Sequence, residues 1–178
     1  EQGTHKPLVG SSILPSGIFC FARPLFHRPM NQRYFEDVKV GDCFGSNSYK
    51  VSEAQICAFA EEFDPQAFHL DAEAARKSIF QQLSASGWHT AAIAMRLFVT
   101  GELQFSGGAI GLGVDELRWP HPLHAGDVVR LETEIIETRG SKSKPGYGIV
   151  RMRNVATNQR GAAVITYIAT ALVLRQPG

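Results

Sequence analysis

The sequence predicts an α+β fold in which an antiparallel sheet wraps around one long helix. The strongest helical periodicity covers residues 87–100, where apolar side chains recur on one stripe. After this helix the chain changes to strand patterns, and residues 162–174 are almost continuously apolar, as expected for a central strand. The helical stripe consists of Trp88, Ala91, Ala92, Met95, Phe98 and Val99, and its small early residues predict close packing against the sheet.

Two short elements are expected besides the main ones. Residues 34–42 end in a Gly-Asp turn signal, and residues 46–51 are typical of a short strand. Asp71 is expected to cap a short helix that continues to about Ser78.

A capping-box pattern predicts the first longer helix. Ser52 and Gln55 have the required types and spacing, and the helix they begin should end near Phe63. Its buried face would carry Ile56, Phe59, Ala60 and Phe63, which lie at helical spacing.

The remaining strands follow the long helix. A glycine-rich loop is expected at residues 107–113. Alternating apolar and charged side chains predict a half-buried strand over residues 129–135, which residues 147–155 should join. Turn signals at residues 140–146 and 158–161 separate these strands, so antiparallel pairing is expected.

Length and composition limit the classes of protein to consider. The 178 residues suit one domain, which we expect over residues 34–178. Residues 1–33 hold four of the nine prolines without a sustained period, so we interpret them as an irregular N-terminal extension: a tag, a leader or upstream sequence. The net charge of +1 gives no sign of a nucleic-acid surface, and no apolar run reaches the roughly 18 residues that span a membrane.

An acid and an imidazole follow the first helix closely. Asp64 and His69 are five residues apart, and Pro65 ends the helix because proline lacks an N–H and clashes with the preceding turn. Both side chains are therefore expected on an irregular loop, where they can turn toward one point. Glu61 and Glu62 add acids at the helix end where the dipole disfavours anions. We therefore expect a raised pKa for Asp64, as suits a general acid or base.

Residues 84–92, with the sequence SASGWHTAA, are the expected spatial partner of this loop. They open the long helix, whose first N–H groups have no partner within the helix and favour a developing negative charge. An acid/base pair opposite such N–H groups is suited to reactions at a carbonyl compound. Taken singly, Asp64 could be a turn-forming aspartate, His69 a structural histidine and Gly87 a helix-start glycine.

The other reactive side chains do not indicate a second functional site. His121 and His124 could form a metal pair, but no further ligands cluster with them, so we expect no metal site. Cys57 should lie in mid-helix, which argues against a nucleophile. Together with Cys20 and Cys43 it makes an odd number without a Cys-x-x-Cys pair, which indicates reduced thiols and a cytoplasmic location.

Residues 63–69, with the sequence FDPQAFH, resemble the active-site motif of the MaoC-like dehydratases and (R)-specific enoyl-CoA hydratases, a family with the hot-dog fold. That family carries Asp-x-Asn-Pro-(apolar)-His after its first helix. Asp64 and His69 match at the family spacing, whereas Gln66 replaces the usual Asn and Ala67 the usual Pro.

The resemblance covers residues 34–174. The family opens its central helix with His-Gly or Ser-Gly, which corresponds here to Ser86 and Gly87. The segment Arg118-Trp119-Pro120 is also similar. The expected fold is therefore a single MaoC-like hot-dog domain.

The resemblance implies a hydro-lyase of fatty acid metabolism that adds water reversibly to a trans-2-enoyl-CoA-type thioester. Asp64 and His69 would activate the water, and the Gly87 N–H would donate to the thioester oxygen as it gains enolate character. Contacts with the substrate are expected from Ser86, Trp88, His89 and Phe68.

The same resemblance implies the partners of the chain. An acyl-CoA-type small molecule is the expected ligand, and no metal or redox cofactor is needed, because the thioester itself acidifies the neighbouring carbon. An isolated hot-dog unit leaves a sheet edge and a substrate tunnel incomplete, so a homodimer or a dimer of dimers is expected.

Two other functions remain open. A thioesterase on this fold also uses a carboxylate and a helix N-terminus, although its acid more often lies in the central helix, and residues 87–100 contain none. A non-catalytic acyl-thioester-binding subunit is the second alternative. The family has a serine one turn into the central helix where this chain has Ala92, so Ser86, His89 or Thr90 would replace it or the activity would differ.

Overall fold

One antiparallel sheet and four helices form the structure over residues 32–177, the part of the chain that the computed structural model describes. A single 3-10 turn, Phe35–Asp37, precedes them. In chain order they are β1 (Cys43–Gly45), β2 (Tyr49–Lys50), α1 (Glu53–Phe63), α2 (Ala67–Leu70), α3 (Ala72–Arg76), α4 (Gly87–Val99), β3 (Ala109–Arg118), β4 (Val128–Gly140), β5 (Tyr147–Thr157) and β6 (Ala163–Leu174). The predicted α+β class is confirmed.

The sheet is a meander with one strand out of chain order. Its order is β1-β4-β5-β6-β3, and β2 also pairs with β4. Neighbours β4, β5 and β6 are joined by short turns, so each pairs with the next. β3 comes before them in the chain but pairs only with β6, the last strand. Within residues 32–177, no strand pairs with the outer edge of β3.

α4 packs against one side of the sheet, and of the stripe that the sequence predicts only Ala91 and Phe98 contact the core. Its buried apolar residues are Ile93, Ala94 and Leu97, which join the core with residues of β4 and β6. On the predicted stripe, Trp88 is 62% exposed and Met95 53%. The helix is apolar on two sides, and periodicity alone does not reveal which side meets the sheet.

α1 begins as predicted and is buried on a narrower face. Ser52 accepts the Gln55 N–H, and the Gln55 side chain accepts the Ser52 N–H, which completes the capping box. Of the four residues expected on its buried face, Ile56 and Ala60 are fully buried. Phe63 is instead 63% exposed, because the chain leaves the helix immediately after it.

Two predicted boundaries are wrong. Residues 109–113 belong to β3 and not to a glycine-rich loop, since the turn is confined to Gly107 and Gly108, whose φ values are positive. The single strand expected over residues 46–51 is replaced by the two short strands β1 and β2, which pair with different parts of β4.

Three predictions concern the chain outside this sheet. The N-terminal extension lies outside the described residues except for residues 32 and 33, so the domain boundaries stay predictions. Cys57 is a free thiol as expected, and Cys20 lies outside the described residues, so the wider prediction of reduced thiols stays a prediction. Of the helices in residues 32–177, none has the length and apolar character to cross a membrane.

Candidate active site

Asp64 and His69 lie where α1 ends and α2 begins. Asp64 caps the C-terminus of α1, with its N–H still bound to the Ala60 carbonyl at 3.0 Å. After Pro65 the chain re-enters helical geometry, and α2 carries His69 on a single turn. The prediction of an irregular loop therefore holds for Asp64 and is wrong for His69, because the proline interrupts the helix for only three residues.

Two side chains hold the Asp64 carboxylate. Ser86 donates its hydroxyl to Oδ2 at 2.6 Å, and Gln66 donates its amide to Oδ1 at 2.7 Å. The hydrogen bond from Ser86, then that from Gln66, keeps the pKa of Asp64 below its ordinary value, and nearby His69 acts in the same direction. The predicted rise is wrong, because these donors favour the charged form more than partial burial disfavours it.

His69 is buried and has a fixed tautomer. Its Nδ1 lies 2.6 Å from the Ser84 carbonyl oxygen. A carbonyl can only accept, so Nδ1 carries a proton in the neutral ring. The other nitrogen, Nε2, then has a free lone pair and lies 3.5 Å from Asp64 Oδ2. This arrangement leaves Nε2 able to accept a proton beside a carboxylate.

Aromatic rings enclose the outer side of His69. Phe68 meets it edge-on with ring centroids 4.6 Å apart, and Phe80 packs on Phe68 at 5.2 Å. Phe80 is also within 6.1 Å of His69 itself. The imidazole is consequently 5% exposed, and its chemistry is directed toward Asp64.

The N-terminus of α4 faces the same carboxylate. Ser86 is the N-cap, and its hydroxyl accepts the Trp88 N–H at 3.2 Å while it donates to Asp64. No described residue accepts the Gly87 N–H. Trp119 donates its indole N–H to the Gly87 carbonyl, and a Cβ at residue 87 would come within 2.9 Å of the indole ring. Glycine is therefore required for this close approach.

The other predicted substrate contacts lie around the same helix end. His89 stacks face to face on Phe59 with centroids 4.7 Å apart. Trp88 meets Trp119 edge-on at 5.7 Å. Ala92 is exposed and distinct from the buried face of α4, whereas Ser86, one of the proposed replacements for the family serine, contacts Asp64 directly.

Sequence analysis missed three neighbours of the site. Gln66 was recognised only as a replacement in the motif, although an amide two residues from an aspartate can reach its carboxylate. Trp119 was noted only for its resemblance, and Phe80 was not considered. An aromatic residue next to proline at a strand end was the available signal for Trp119; none in the sequence indicates Phe80.

The remaining reactive groups have other partners. Within residues 32–177, no group of three or more histidine, cysteine, aspartate or glutamate side chains could hold a metal ion. His121 and His124 instead direct Nδ1 at the carbonyl oxygens of Ala163 and Leu83. Burial, with smaller contributions from two glutamates, raises the pKa of the Cys57 thiol, which disfavours its nucleophilic form.

Comparisons with known proteins match this geometry to one family. The model of the MaoC-like domain family matches residues 38–158. The uncharacterized protein YdeM of Bacillus subtilis (strain 168) is 30% identical over 142 residues, which cover 79% of this chain and 98% of YdeM.

Solved structures support the same match. The MaoC-like dehydratase from Rhodospirillum rubrum is 49% identical with a TM-score of 0.79, over 82% of this chain and 99% of that chain. The R-hydratase PhaJ1 from Pseudomonas aeruginosa is 26% identical with a TM-score of 0.67, over 80% and 86%. A Mycobacterium tuberculosis protein with a double hotdog fold, 18% identical with a TM-score of 0.70 over 82% and 45%, shows likeness of fold. The expected hot-dog architecture is confirmed.

Proposed function

The chain belongs to the MaoC-like domain family, and from that premise we propose a hydratase or dehydratase that adds water reversibly to a trans-2-enoyl thioester of the coenzyme A type. The names of two similar structures, a MaoC-like dehydratase and an R-hydratase, support this class of reaction. One observation carries the proposal: His69 Nε2 lies 3.5 Å from Asp64 Oδ2, and the N-terminus of α4 faces the same carboxylate.

His69 acts as the base in this reaction. With Nδ1 held on the Ser84 carbonyl, the lone pair of Nε2 takes a proton from a water molecule. The water oxygen bonds to C3 of the enoyl thioester, and the C2=C3 electron pair moves toward the thioester carbonyl. The same imidazolium then gives its proton to C2. One water is consumed, with its hydroxyl on C3 and one hydrogen on C2.

Asp64 remains a carboxylate throughout. Its lowered pKa and its two donors, Ser86 and Gln66, oppose a role as the proton donor to C2. The negative charge beside Nε2 instead stabilises the imidazolium that forms after proton transfer. Asp64 also offers Oδ2 as an acceptor that orients the water.

Gly87 supplies the donor for the thioester oxygen. Its N–H has no acceptor among the described residues and lies at the positive end of α4. The oxygen gains negative charge only during attack, so this hydrogen bond strengthens in the transition state. A donor of this kind is worth about 2.7–4 kcal/mol.

The acyl group is expected to contact aromatic side chains. Phe68 forms the wall beside His69, and Trp88 is an exposed ring near the helix N-terminus. No metal or redox cofactor enters the proposed reaction, because polarisation of the thioester carbonyl is enough to activate C2 and C3. A CoA thioester as substrate also fits the predicted cytoplasmic location.

The proposal includes a homodimer. Exposed apolar side chains lie on α4 at Trp88, Met95 and Val99 and on β3 at Ile110, Leu112 and Val114, each more than half exposed. A second copy of the chain would cover them and pair with the free edge of β3, which a soluble sheet protein otherwise protects. Assemblies of such dimers are equally compatible with these surfaces.

The decisive experiment follows the absorbance of the enoyl-thioester band. Purified protein is mixed with crotonyl-CoA and with longer trans-2-enoyl-CoA substrates, while released thiol is measured in parallel. We expect loss of the band without thiol release, and retention of the band with the variants Asp64→Asn and His69→Gln.

Two outcomes would contradict the proposal. Release of free thiol would identify a thioesterase. Binding of the substrates without any chemical change would identify an acyl-thioester-binding subunit.

A further inference from the structure

We propose that His89 holds the thioester oxygen of the substrate with its Nε2–H, as a second donor beside the Gly87 N–H. The inference rests on the proposed function and assigns His89 a role in fixing the carbonyl of the acyl thioester. It depends on where the ring lies, on which of its nitrogens carries the proton, and on which hydrogen-bond donors of the site are already committed.

His89 lies on the side of α4 that faces Asp64. Its ring is stacked parallel on Phe59 of α1, with an interplanar angle of 5°. Phe59 in turn contacts Phe63, the residue immediately before Asp64, at 5.0 Å. Ser86, in the same first turn of α4, binds Asp64 itself. These contacts place His89 on the side of α4 that packs against α1, about one turn along the helix from the residue that binds Asp64.

The proton of the neutral ring lies on Nε2. The side chain is only 7% exposed, and Nδ1 is fully buried with no hydrogen-bond partner among the described residues. A buried N–H without an acceptor is among the rarest features of folded proteins, so Nδ1 is the unprotonated nitrogen. Nε2 is not fully buried, so it is the nitrogen that a ligand can reach.

The ring stays neutral and rigid in this position. Burial lowers the pKa of His89, and the parallel stack on Phe59 fixes the plane of the imidazole. A neutral imidazole N–H polarises a carbonyl without introducing a charge that would compete with His69 for Asp64. An enzyme can use a neutral histidine as an electrophile in this way.

The dyad itself supplies no donor for the thioester oxygen. Asp64 and the Nε2 lone pair of His69 are both acceptors, whereas the enolate oxygen needs donors. Ser86 has committed its only proton to Asp64, and the Trp119 indole N–H is committed to the Gly87 carbonyl. Gly87 N–H and His89 Nε2–H thus remain uncommitted donors at the start of α4.

The experiment measures recognition of a carbonyl oxygen in the full chain. Dissociation constants are determined for butyryl-CoA, which has the carbonyl and no double bond, and for S-butyl-CoA, which lacks the carbonyl. The matched variants are His89→Gln, whose amide nitrogen lies near the position of Nε2, and His89→Asn, whose amide nitrogen lies near that of Nδ1.

We expect wild type and His89→Gln to prefer the carbonyl ligand, and His89→Asn to reduce that preference by about 3- to 10-fold, as for one lost hydrogen bond. Nitrogen-15 NMR of the free protein should show His89 protonated at Nε2 only.

Three results would overturn the inference. A proton on Nδ1 contradicts the tautomer. An equal loss of affinity for both ligands in His89→Asn, or an equal preference in all three proteins, means that the ring only packs on Phe59. These results leave hydration by Asp64 and His69 standing, whereas wild-type protein that binds neither ligand removes the CoA-type substrate and the role of His89 together.

Discussion

The two sides of α4 differ in whether their side chains have partners within the chain. On the side of Asp64, both carboxylate oxygens and the Nδ1 of His69 have close partners within the chain. On the opposite side, the apolar side chains of Trp88, Met95 and Val99 are each more than half exposed in the described part of the chain. The proposed acid/base pair therefore finds its partners within one chain, whereas the exposed apolar surface is the one that the proposed dimer would bury.

Different interactions stabilise the two sides of α4. The Asp64 side is stabilised by a few short hydrogen bonds, so that loss of one atom changes the chemistry of the site. In the proposed dimer, the exposed side would be stabilised by the apolar area that it buries, so that loss of a single atom would matter little and an introduced charge would matter a great deal. Variants on the two sides should therefore differ in kind as well as in size.

The largest expected effect comes from the dyad. Asp64→Asn and His69→Gln should each lower kcat/KM for enoyl-CoA hydration by about 10²–10⁴-fold, as for loss of a general base or its partner. Steady-state absorbance assays test this. His121→Gln, which changes a histidine bound only to the Ala163 carbonyl, is the matched control and should keep wild-type activity. Activity within threefold of wild type in His69→Gln would exclude His69 as the base.

The second effect concerns the exposed side. Met95→Glu and Leu112→Glu should each weaken the proposed dimer by about 100-fold, because a charge would be buried without a partner. Size-exclusion chromatography with light scattering should then shift from the dimer toward the 19.5 kDa chain. Lys50→Glu, an exposed residue on the short strand β2, is the control and should remain dimeric. A wild-type chain that is monomeric at high concentration would contradict the dimer.

A smaller effect on activity is expected from a substitution at Gly87, the first residue of α4. Gly87→Ala places a methyl group within 2.9 Å of the Trp119 ring. The ring or the helix must shift, at about 1–3 kcal/mol, and we expect roughly a tenfold loss of kcat/KM with a change in tryptophan fluorescence. The double variant Gly87→Ala with Trp119→Leu should recover part of the activity. Recovery would fail if the glycine were needed only for its backbone angles.

The smallest effect should appear in the titration of Asp64. In the folded protein its pKa is lowered, so its contribution to stability is present above the unfolded pKa of about 3.9 and is lost as pH falls through the folded pKa. Ser86→Ala removes the largest cause and should raise that pKa, with a loss of about 1 kcal/mol at neutral pH. Carbon-13 NMR of the carboxyl group measures it. Ser84→Ala is the control, since the Ser84 hydroxyl does not contact Asp64.

Local chemistry explains what could be predicted from the sequence. The capping box at Ser52 needs only residues three apart, and the break after Phe63 needs only Pro65. Asp64 and His69 lie close together because the chain between them is too short to separate them. The opening of α4 at Gly87 was predictable from the helical periodicity that begins there.

Contacts between residues far apart in the chain could not be predicted from the sequence. Ser86 is 22 residues from Asp64, and Trp119 is 32 residues from Gly87, so neither contact follows from spacing. The predicted direction of the Asp64 pKa shift was wrong because the sequence shows the neighbouring acids Glu61 and Glu62 but not the hydrogen bond from Ser86. The predicted buried face of α4 was wrong for four of its six residues, because the sequence shows apolar residues on two sides of the helix and only the sheet decides between them.

The position of β3 has a consequence for how the chain reaches its native state. β3 is synthesised before β4 but pairs only with β6, so its hydrogen bonds cannot form until the last strand has emerged. β4, β5 and β6 can pair earlier through short turns, whereas docking of β3 closes a loop of many residues and is slow. The β3 edge and its apolar side chains are thus completed late, so the surface of the proposed dimer forms only after β6 has paired.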